Sequence, residues 1–223
     1  MAAFLSEFGS YLVSNADRLL ELTVEHLQLS LAAVGFGLLV GIPGGVLMAR
    51  FRRLVGPVLW VTNALQTVPA LALAGFLMIL FGLGRGTGIA VLFCYTLMPI
   101  LRATYTGITS VDPALVEAAR GMGMTRWQIL RMVQLPLALS VLLVGVRVAT
   151  VIAIGTATIL SLIGAGGLGQ EIFAGIRRVS DVRILAGAVP AALLAVLADA
   201  GISWLERRLT SPGLRVERSA AQS

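Results

Sequence analysis

Residues 111–136 decide the fold, and they read VDPALVEAARGMGMTRWQILRMVQLP. Asp112 followed by Pro113 is typical of a helix start, because an N-cap aspartate accepts a hydrogen bond from a free backbone N–H and proline fits the first helical turn. Gly121 or Gly123 is expected to end this helix, since glycine readily adopts the backbone conformation that follows a last turn. The first half of the segment therefore predicts one short, well-capped helix.

The second half of the segment predicts another short helix. Thr125, followed three residues later by Gln128, matches a capping box, in which the two residues satisfy each other's free backbone N–H groups. Trp127, Ile129 and Leu130 then supply apolar side chains. Two short helices with apolar faces would form an exposed apolar patch unless something covers them, so we expect this segment to dock another molecule.

The chain as a whole is too apolar for a water-soluble protein. Of its 223 residues, 57% are hydrophobic and only 13% are charged, and the mean hydropathy is +0.92. Soluble domains carry about 25% charged residues. We therefore predict an all-α integral membrane protein in which residues 111–136 connect two spans.

The residue types that carry chemistry are few, and their scarcity excludes several functions. All 17 basic residues are arginine, which excludes a Walker phosphate-binding loop and Schiff-base catalysis, since both require lysine. A single histidine, His26, and a single cysteine, Cys94, cannot build a multi-ligand metal site or an internal disulfide. The sequence thus predicts no catalytic residue, no metal and no cofactor. We assign the net charge of +6 to cytoplasmic loops rather than to nucleic-acid binding.

Hydropathy divides the chain into five membrane spans preceded by an amphipathic segment. A spanning helix requires about 20 apolar residues. Residues 1–25 are predicted to lie at the membrane interface, residues 26–208 to form the transmembrane domain, and residues 209–223 to be a flexible cytoplasmic tail. A cytoplasmic loop is predicted at residues 109–134. The predicted spans are approximately 27–49, 57–81, 88–108, 135–163 and 184–205, and the fourth is long enough to require tilt or a break.

The arginines predict how these spans are oriented. Ten arginines fall on the side of the 109–134 loop and five on the other side, leaving aside Arg102 and Arg147, which lie within spans. Basic loops are retained in the cytoplasm, so the N-terminus is predicted to be outside and the C-terminus in the cytoplasm. Neither this loop nor the external segment 164–183 is long enough to fold alone, so any ATPase or binding domain must be a separate chain.

Small residues recur every four positions in the first and fourth spans. The first span carries Gly37, Gly41 and Gly45 in this register, and the fourth carries Gly145 and Ala149. Small residues at this spacing let helices approach closely in lipid. We favour packing inside one bundle. The alternative is that the fourth-span residues face a partner subunit or move against a neighbour.

Polar residues in the second and fourth spans are candidates for lining a solute path. Several of them surround Pro69, which is expected to kink the second span. A polar face in lipid is costly and should point at a cavity or at another helix, so hydrogen bonding between helices is the alternative interpretation. The candidates are Asn63, Gln66, Thr67, Pro69, Thr150 and Thr156.

Three further polar residues lie within or beside apolar stretches. A central arginine costs about 2.5–3.5 kcal/mol on insertion scales, so Arg147 is expected to pair with a protein group, and substrate contact is the weaker alternative. Asp199 lies close enough to the cytoplasmic end to snorkel. His26 is expected at the external membrane interface.

The loop resembles the EAA loop of binding-protein-dependent ABC importer permeases. The resemblance rests on EAA at residues 117–119, a glycine six residues after the glutamate, and VQLP at residues 133–136, where the family usually begins with isoleucine. It implies the type I ABC importer permease fold, in which this loop is a coupling helix held in a groove of the ATPase subunit. The residues assigned to coupling are Glu117, Ala118, Ala119, Gly121, Gly123, Leu135 and Pro136.

Two more stretches resemble the osmoprotectant permeases. They are QTVPALAL at residues 66–73 and IGAGGLG at residues 163–169, the second of which also occurs in methionine-type permeases. The resemblance implies import of glycine betaine, choline, carnitine or related amines across a bacterial inner membrane; a methionine- or amino-acid-type importer is the alternative. It also implies several partners: ABC ATPase subunits, a second permease subunit, identical or paralogous, and an extracytoplasmic substrate-binding protein, with membrane lipid around the chain.

A stand-alone secondary transporter and an intramembrane enzyme are less well supported by the sequence. Secondary transporters usually show internal repeats and several ionisable residues within the membrane. No repeat is evident here, and Arg147 is the one strong ionisable candidate. A protease would need a nucleophile paired with a histidine, and His26 lies at a predicted boundary. The importer is therefore favoured over both of these functions.

Overall fold

The computed structural model describes residues 2–209, and this part of the chain consists of ten α-helices joined by short turns. A π-helical stretch, Leu130–Gln134, joins two of them directly. Except for Leu209, the predicted cytoplasmic tail lies outside the described residues. The helices are α1 Ala2–Ser14, α2 Ala16–Arg50, α3 Val55–Thr67, α4 Ala70–Phe81, α5 Arg85–Thr109, α6 Pro113–Gly121, α7 Arg126–Ile129, α8 Leu135–Leu160, α9 Gly169–Arg178 and α10 Asp181–Leu209.

Four helical stretches of the described chain are long and apolar enough to cross a membrane. They are α2, α5, the stretch Arg126–Ile163 that contains α7 and α8, and α10. Residues 52–67 and 70–81 pass the same test only as a pair, and that pair is bent by 104° at its break. The all-α membrane architecture is thus confirmed, with four spans, or five if the bent pair is one span.

The second predicted span is broken rather than kinked. Helix α3 ends at Thr67 and α4 begins at Ala70, because a residue before proline is pushed out of the helical region and proline lacks an N–H. Val68 is accordingly extended, with φ −70° and ψ 127°. The hydroxyl of Tyr95 on α5 donates to the Val68 carbonyl oxygen, and the Gln66 amide donates to the Tyr95 carbonyl at 2.9 Å. The Val68 carbonyl at the break therefore has a hydrogen-bond partner on α5, and the Gln66 side chain adds a second contact with the same residue.

Helix α2 begins well before the predicted start of the first span near Leu27. Residues 16–25, which the sequence assigns to the interfacial segment, form its first turns. Two of their charged side chains bind to α9 and to the turn before it. Arg18 donates to the Gln170 amide oxygen at 3.0 Å, and the Glu25 carboxylate accepts from the Gly167 N–H at 2.9 Å. Hydropathy misses this extension because tertiary contacts stabilise it. The placement of α1 at the membrane interface remains a prediction.

Helix α5 lies between α2 and α8, and the small residues of both neighbours face it. A Cβ added at Gly45 of α2 would lie 2.5 Å from the Thr104 Cβ. A Cβ added at Gly145 of α8 would lie 2.2 Å from the Ala103 Cβ and 2.8 Å from the Pro99 carbonyl oxygen. Both small-residue stripes therefore contribute to packing within the bundle, as we favoured.

Helix α10 completes the bundle against α8 and α9. An ion pair crosses the α8–α10 contact, with the Arg147 Nε 2.7 Å from the Asp199 Oδ1. The same guanidinium donates to the Ser203 hydroxyl at 2.9 Å. The structural pairing expected for Arg147 is thus confirmed, and its partner is Asp199.

The loops gather at the two ends of the bundle. At one end, the Gly84 N–H donates to the Ile163 carbonyl oxygen at 3.0 Å, and Arg85 donates to the Gln28 amide oxygen at 2.6 Å. This end therefore contains the start of α5, the end of α8 and helix α9. The opposite end carries the connection from α5 to α8, which includes α6 and α7.

Candidate functional site

The segment with the strongest functional signal folds as two short helices, as predicted. The Asp112 carboxylate caps α6 by accepting from the Ala114 N–H at 2.8 Å. At the other end of α6, the Met124 N–H donates to the Ala119 carbonyl at 3.1 Å and the Gly123 N–H to the Arg120 carbonyl at 2.9 Å. This hydrogen-bond pattern is the Schellman motif. It places Gly123 at φ +81°, a conformation that strongly favours glycine.

Helix α7 begins with the predicted capping box. The Thr125 N–H donates to the Gln128 amide oxygen at 2.7 Å, and the Gln128 N–H donates to the Thr125 hydroxyl at 3.4 Å. The π-helical stretch follows without a break, and the Leu135 N–H donates to the Leu130 carbonyl oxygen. The second half of the loop is therefore a rigid extension of α8.

The outer surface of α6 and α7 exposes large apolar side chains among charged and polar ones. Leu115, Met122 and Trp127 are 49%, 75% and 62% exposed. The Arg131 guanidinium lies 5.4 Å from the Trp127 ring centroid. We call Leu115, Glu117, Ala118, Met122 and Trp127 the docking face. A surface that exposes large apolar side chains together with a carboxylate suits a protein partner.

The structure places the residues assigned to coupling in two groups. Ala119 is 1% exposed and packs inward, and Leu135 is half-buried at the start of α8. The exposed members are Glu117, Ala118, Gly121, Gly123 and Pro136. Contact of all these residues with an ATPase remains a prediction. Sequence reasoning named Trp127 among the apolar side chains of the docking segment but did not assign Leu115 and Met122, although their large apolar side chains were a usable signal.

At the opposite end, a polar cluster joins α1, α9 and α10. Glu171 on α9 is buried and accepts from the Arg183 Nε at 2.6 Å and from the Tyr11 hydroxyl at 2.5 Å. Burial alone would raise the pKa of Glu171, but hydrogen bonds from Arg183 and Tyr11 and the nearby arginine charges hold it below the ordinary value. Burial, followed by the contact with the Glu171 carboxylate, raises the pKa of Tyr11. Glu171 is therefore an anionic anchor for three helices.

His26 lies in the same region and is fully buried by protein; its place at the level of the membrane interface remains a prediction. Its Nε2 is 2.9 Å from the Ile154 carbonyl oxygen on α8. Gly167 passes so close that an added Cβ would lie 2.9 Å from the His26 Nδ1. The turn before α9 covers the histidine, which explains why a residue at a predicted span boundary is removed from solvent.

An open groove of about 400 Å³ lies between α5 and α8. Met98, Arg102 and Thr106 line it from α5; each lies four residues from the next and therefore on the same helix face. Gln66 of α3 also lines it. The groove has the size of a small-molecule site, for which about 300–1,000 Å³ is typical.

The candidate path residues are not brought together. Of the predicted set, Gln66 alone is among the residues that line the groove. Asn63 is exposed on α3, and the Thr67 hydroxyl donates to the Ala64 carbonyl at 2.7 Å. Thr150 is 5% exposed and donates to the Val146 carbonyl at 2.8 Å, and Thr156 is half-buried. Their lining of a solute path remains a prediction.

Sequence reasoning missed the α5 side of the groove. Arg102 was set aside as a residue inside a span, although a charge within an apolar helix is itself a functional signal. Met98 and Thr106, four residues before and after it, mark the same helix face. An arginine with polar or adaptable residues at this spacing could have identified the face before the fold was known.

Comparison with known proteins places this geometry in a family. Residues 41–211 match the family described as "Binding-protein-dependent transport system inner membrane component". The chain is 50% identical over 207 residues to the glycine betaine/carnitine/choline transport system permease protein OpuCD of Bacillus subtilis, covering 92% of this chain and 90% of that protein. It is 44% identical over 211 residues to the osmoprotectant import permease protein OsmW of Salmonella typhimurium, covering 92% and 98%.

Solved structures show the same fold. A chain of the MetNI methionine ABC transporter in an inward-facing conformation superposes with a TM-score of 0.77 at 24% identity, covering 86% of this chain and 96% of that one. A chain of an amino acid ABC transporter with histidines gives a TM-score of 0.72 at 21% identity, covering 89% and 97%. At these identities the likeness shows the type I importer permease fold and nothing about the solute.

Proposed function

Because the chain belongs to the family of binding-protein-dependent transport system inner membrane components, we propose that it is the permease subunit of an ATP-driven importer of osmoprotectants. The proposed solutes are glycine betaine, choline and carnitine. The observation that carries the proposal is 50% identity to a glycine betaine/carnitine/choline permease over almost the full length of both chains. Methionine- or amino-acid-type import has only the shared fold in its favour.

The docking face supports a role in coupling to a separate ATPase. It exposes Leu115, Met122 and Trp127 as well as the Glu117 carboxylate. It lies on α6 and α7, which begin at caps formed by Asp112 and Thr125. Such a surface requires a partner with an apolar groove and a complementary charge. We assign this partner to the ABC ATPase subunits, on the cytoplasmic side of the membrane.

The remaining partners follow from the same proposal. Paired relatives such as OpuCB and OpuCD of Bacillus subtilis carry the same system name, which favours a second permease subunit beside this one. An extracytoplasmic binding protein would deliver the solute at the end that carries α9. ATP binding would bring the two docking faces together and open the path to that end, and hydrolysis would return it to the cytoplasmic side.

Co-purification and uptake test the proposal together. The chain, extracted from membranes with its companions, should carry ABC ATPase subunits, and proteoliposomes of the complex should take up glycine betaine only with ATP inside and binding protein outside. Glu117→Lys should lower uptake at least about tenfold, which corresponds to about 1.4 kcal/mol of lost coupling. Glu7→Lys changes an exposed glutamate on α1 in the same way and serves as the matched control, with uptake unchanged.

Two outcomes would contradict this function. Uptake at the wild-type rate by Glu117→Lys would remove the docking face from the mechanism. Transport by the purified chain alone, driven by an ion gradient without ATP, would instead make it a secondary transporter.

A further inference from the structure

The groove between α5 and α8 has one charged residue among those that line it. Met98, Arg102 and Thr106 form its α5 wall, while Val144, Gly145 and Val148 belong to its α8 wall. Gln66 and Thr106 are uncharged polar residues, and the other lining residues are apolar. An arginine here faces a surface that is otherwise suited to the methyl and methylene groups of a small solute.

Arg102 has no counter-charge within the described part of the chain. No hydrogen bond or ion pair joins its guanidinium to another residue among residues 2–209, and the side chain is exposed to the groove. Arg147, the other arginine within a span, is by contrast 2.7 Å from Asp199. Arg102 lies seven residues before the end of α5 at Thr109, which is about 10 Å along the helix. At this distance from the helix end, the long side chain can extend toward water and keep its guanidinium charged, so Arg102 presents a cation to an anion that enters the groove.

The charge of Arg102 determines which small solutes the groove can accept. A quaternary ammonium group alone would be repelled by the guanidinium, because the two groups carry like charges. A carboxylate would form a charge-assisted, bidentate hydrogen-bonded pair with the guanidinium. We propose that the groove is a solute-binding subsite in which Arg102 binds the carboxylate of a zwitterionic solute, so that betaines and carnitine pass in preference to choline.

This inference rests on the proposed function. In it, Arg102 makes the solute path through the permease selective for the charge of the solute. The apolar α8 wall would contact the methylated end of the solute, and Gln66, which is held by the Tyr95 carbonyl, lies at the α3 side of the same groove. A lipid phosphate offers the same anionic chemistry to an exposed arginine. We commit to the solute carboxylate, because the open groove beside Arg102 has about the volume of a small-molecule site.

Uptake by the complete complex in proteoliposomes tests the subsite. Initial rates of glycine betaine, carnitine and choline uptake are measured with saturating binding protein for wild type and Arg102→Gln. Because the same binding protein serves both transporters, its own preference cancels in the ratio of variant to wild type. We expect Arg102→Gln to lower betaine and carnitine uptake at least about tenfold while choline uptake stays equal or rises. Arg53→Gln, at an exposed arginine in the turn after α2, is the matched control and should leave all three rates unchanged.

A second variant keeps the test decisive if Arg102→Gln does not assemble. Thr106→Asp puts a carboxylate one turn from Arg102 on the same face, so it neutralises the guanidinium in place. We expect it to shift the rates in the same direction as Arg102→Gln. Equal effects on all three solutes in either variant would overturn the subsite, as would an effect that disappears when anionic lipid is left out of the vesicles. Wild-type complex that imports none of the three solutes would instead overturn the proposed function.

Discussion

The close contact of α8 with α5 at Gly145 yields a stability prediction that is independent of transport. A Cβ at position 145 would lie 2.2 Å from the Ala103 Cβ and 2.8 Å from the Pro99 carbonyl oxygen. Carbon atoms in contact are normally about 3.5–4.0 Å apart, so α5 and α8 would have to separate by more than 1 Å. Both obstacles lie on or next to the backbone of α5, and no side-chain rotation removes them. Gly145→Ala should therefore destabilise the bundle.

Gly155→Ala provides the internal comparison for this prediction. Gly155 lies on the same helix, and a Cβ added there would meet nothing within 4 Å. The gain of about 1 kcal/mol in helix propensity on replacing glycine by alanine is common to both variants and cancels between them. The difference that remains is the overpacking cost at Gly145, about 1–3 kcal/mol. For a chain of this length, 1 kcal/mol corresponds to about 2–4 °C in Tm, so the variants should differ by about 2–12 °C.

Thermal unfolding of the two purified variants in the same detergent measures this difference. Retention of the monodisperse species on size-exclusion chromatography after heating gives the midpoint for each protein. We expect the order Gly145→Ala, then wild type, then Gly155→Ala, from least to most stable. A Gly145→Ala protein as stable as Gly155→Ala would mean that α5 and α8 are not in close contact, and the packing of the bundle would have to be revised.

Two further predictions concern the ends of the bundle. Glu171→Gln should lower the Tm at neutral pH, because it removes the anion that holds Arg183 and Tyr11. Folding lowers the pKa of Glu171, so the carboxylate stabilises the folded protein fully above the ordinary pKa of 4.5. This stabilisation is lost as the pH falls through the pKa of the folded state. The gap between variant and wild type, measured as Tm against pH, should accordingly close in acid, and a gap that widens would contradict the assignment. Asp112→Ala should destabilise α6 by about 1 kcal/mol, which would be measured as faster hydrogen exchange of the first α6 amides. Asp112→Asn should retain the cap and serves as the control. Equal exchange rates in wild type and Asp112→Ala would contradict this prediction.

The parts of the fold that local chemistry determines were predictable from the sequence. The Asp112 cap and the Thr125–Gln128 box are both present, because capping depends on residues no more than three positions apart. The end of α6 at Gly121, with Gly123 at positive φ, follows from the same local rules. The small-residue spacing likewise predicted close helix packing, since a four-residue repeat places Gly37, Gly41 and Gly45 on one face.

The features that depend on distant contacts were not predictable. Hydropathy ended the interfacial segment at residue 25, but the Glu25 carboxylate is held by Gly167, which follows it by 142 positions, and α2 extends accordingly. The same turn buries His26. Hydropathy also joined α3 and α4 into one span, because it records how apolar a stretch is and not its direction, and the 104° bend at Pro69 leaves that average unchanged.

The position of the groove connects the docking face to the proposed solute. Residues 126–163 form one uninterrupted helical stretch, so Trp127 at the docking face and Val144 at the groove belong to the same rod, about 25 Å apart at 1.5 Å per residue. The other groove wall belongs to α5, which packs on α2 through Gly45 and Thr104. Because α5 ends at Thr109 and α6 begins at Pro113, a displacement of the docking face would reach both walls of the groove. We expect movement of a bound ATPase to change the width of the groove beside Arg102. This change would lower the affinity of Arg102 for a solute carboxylate, and no other charged residue would be required.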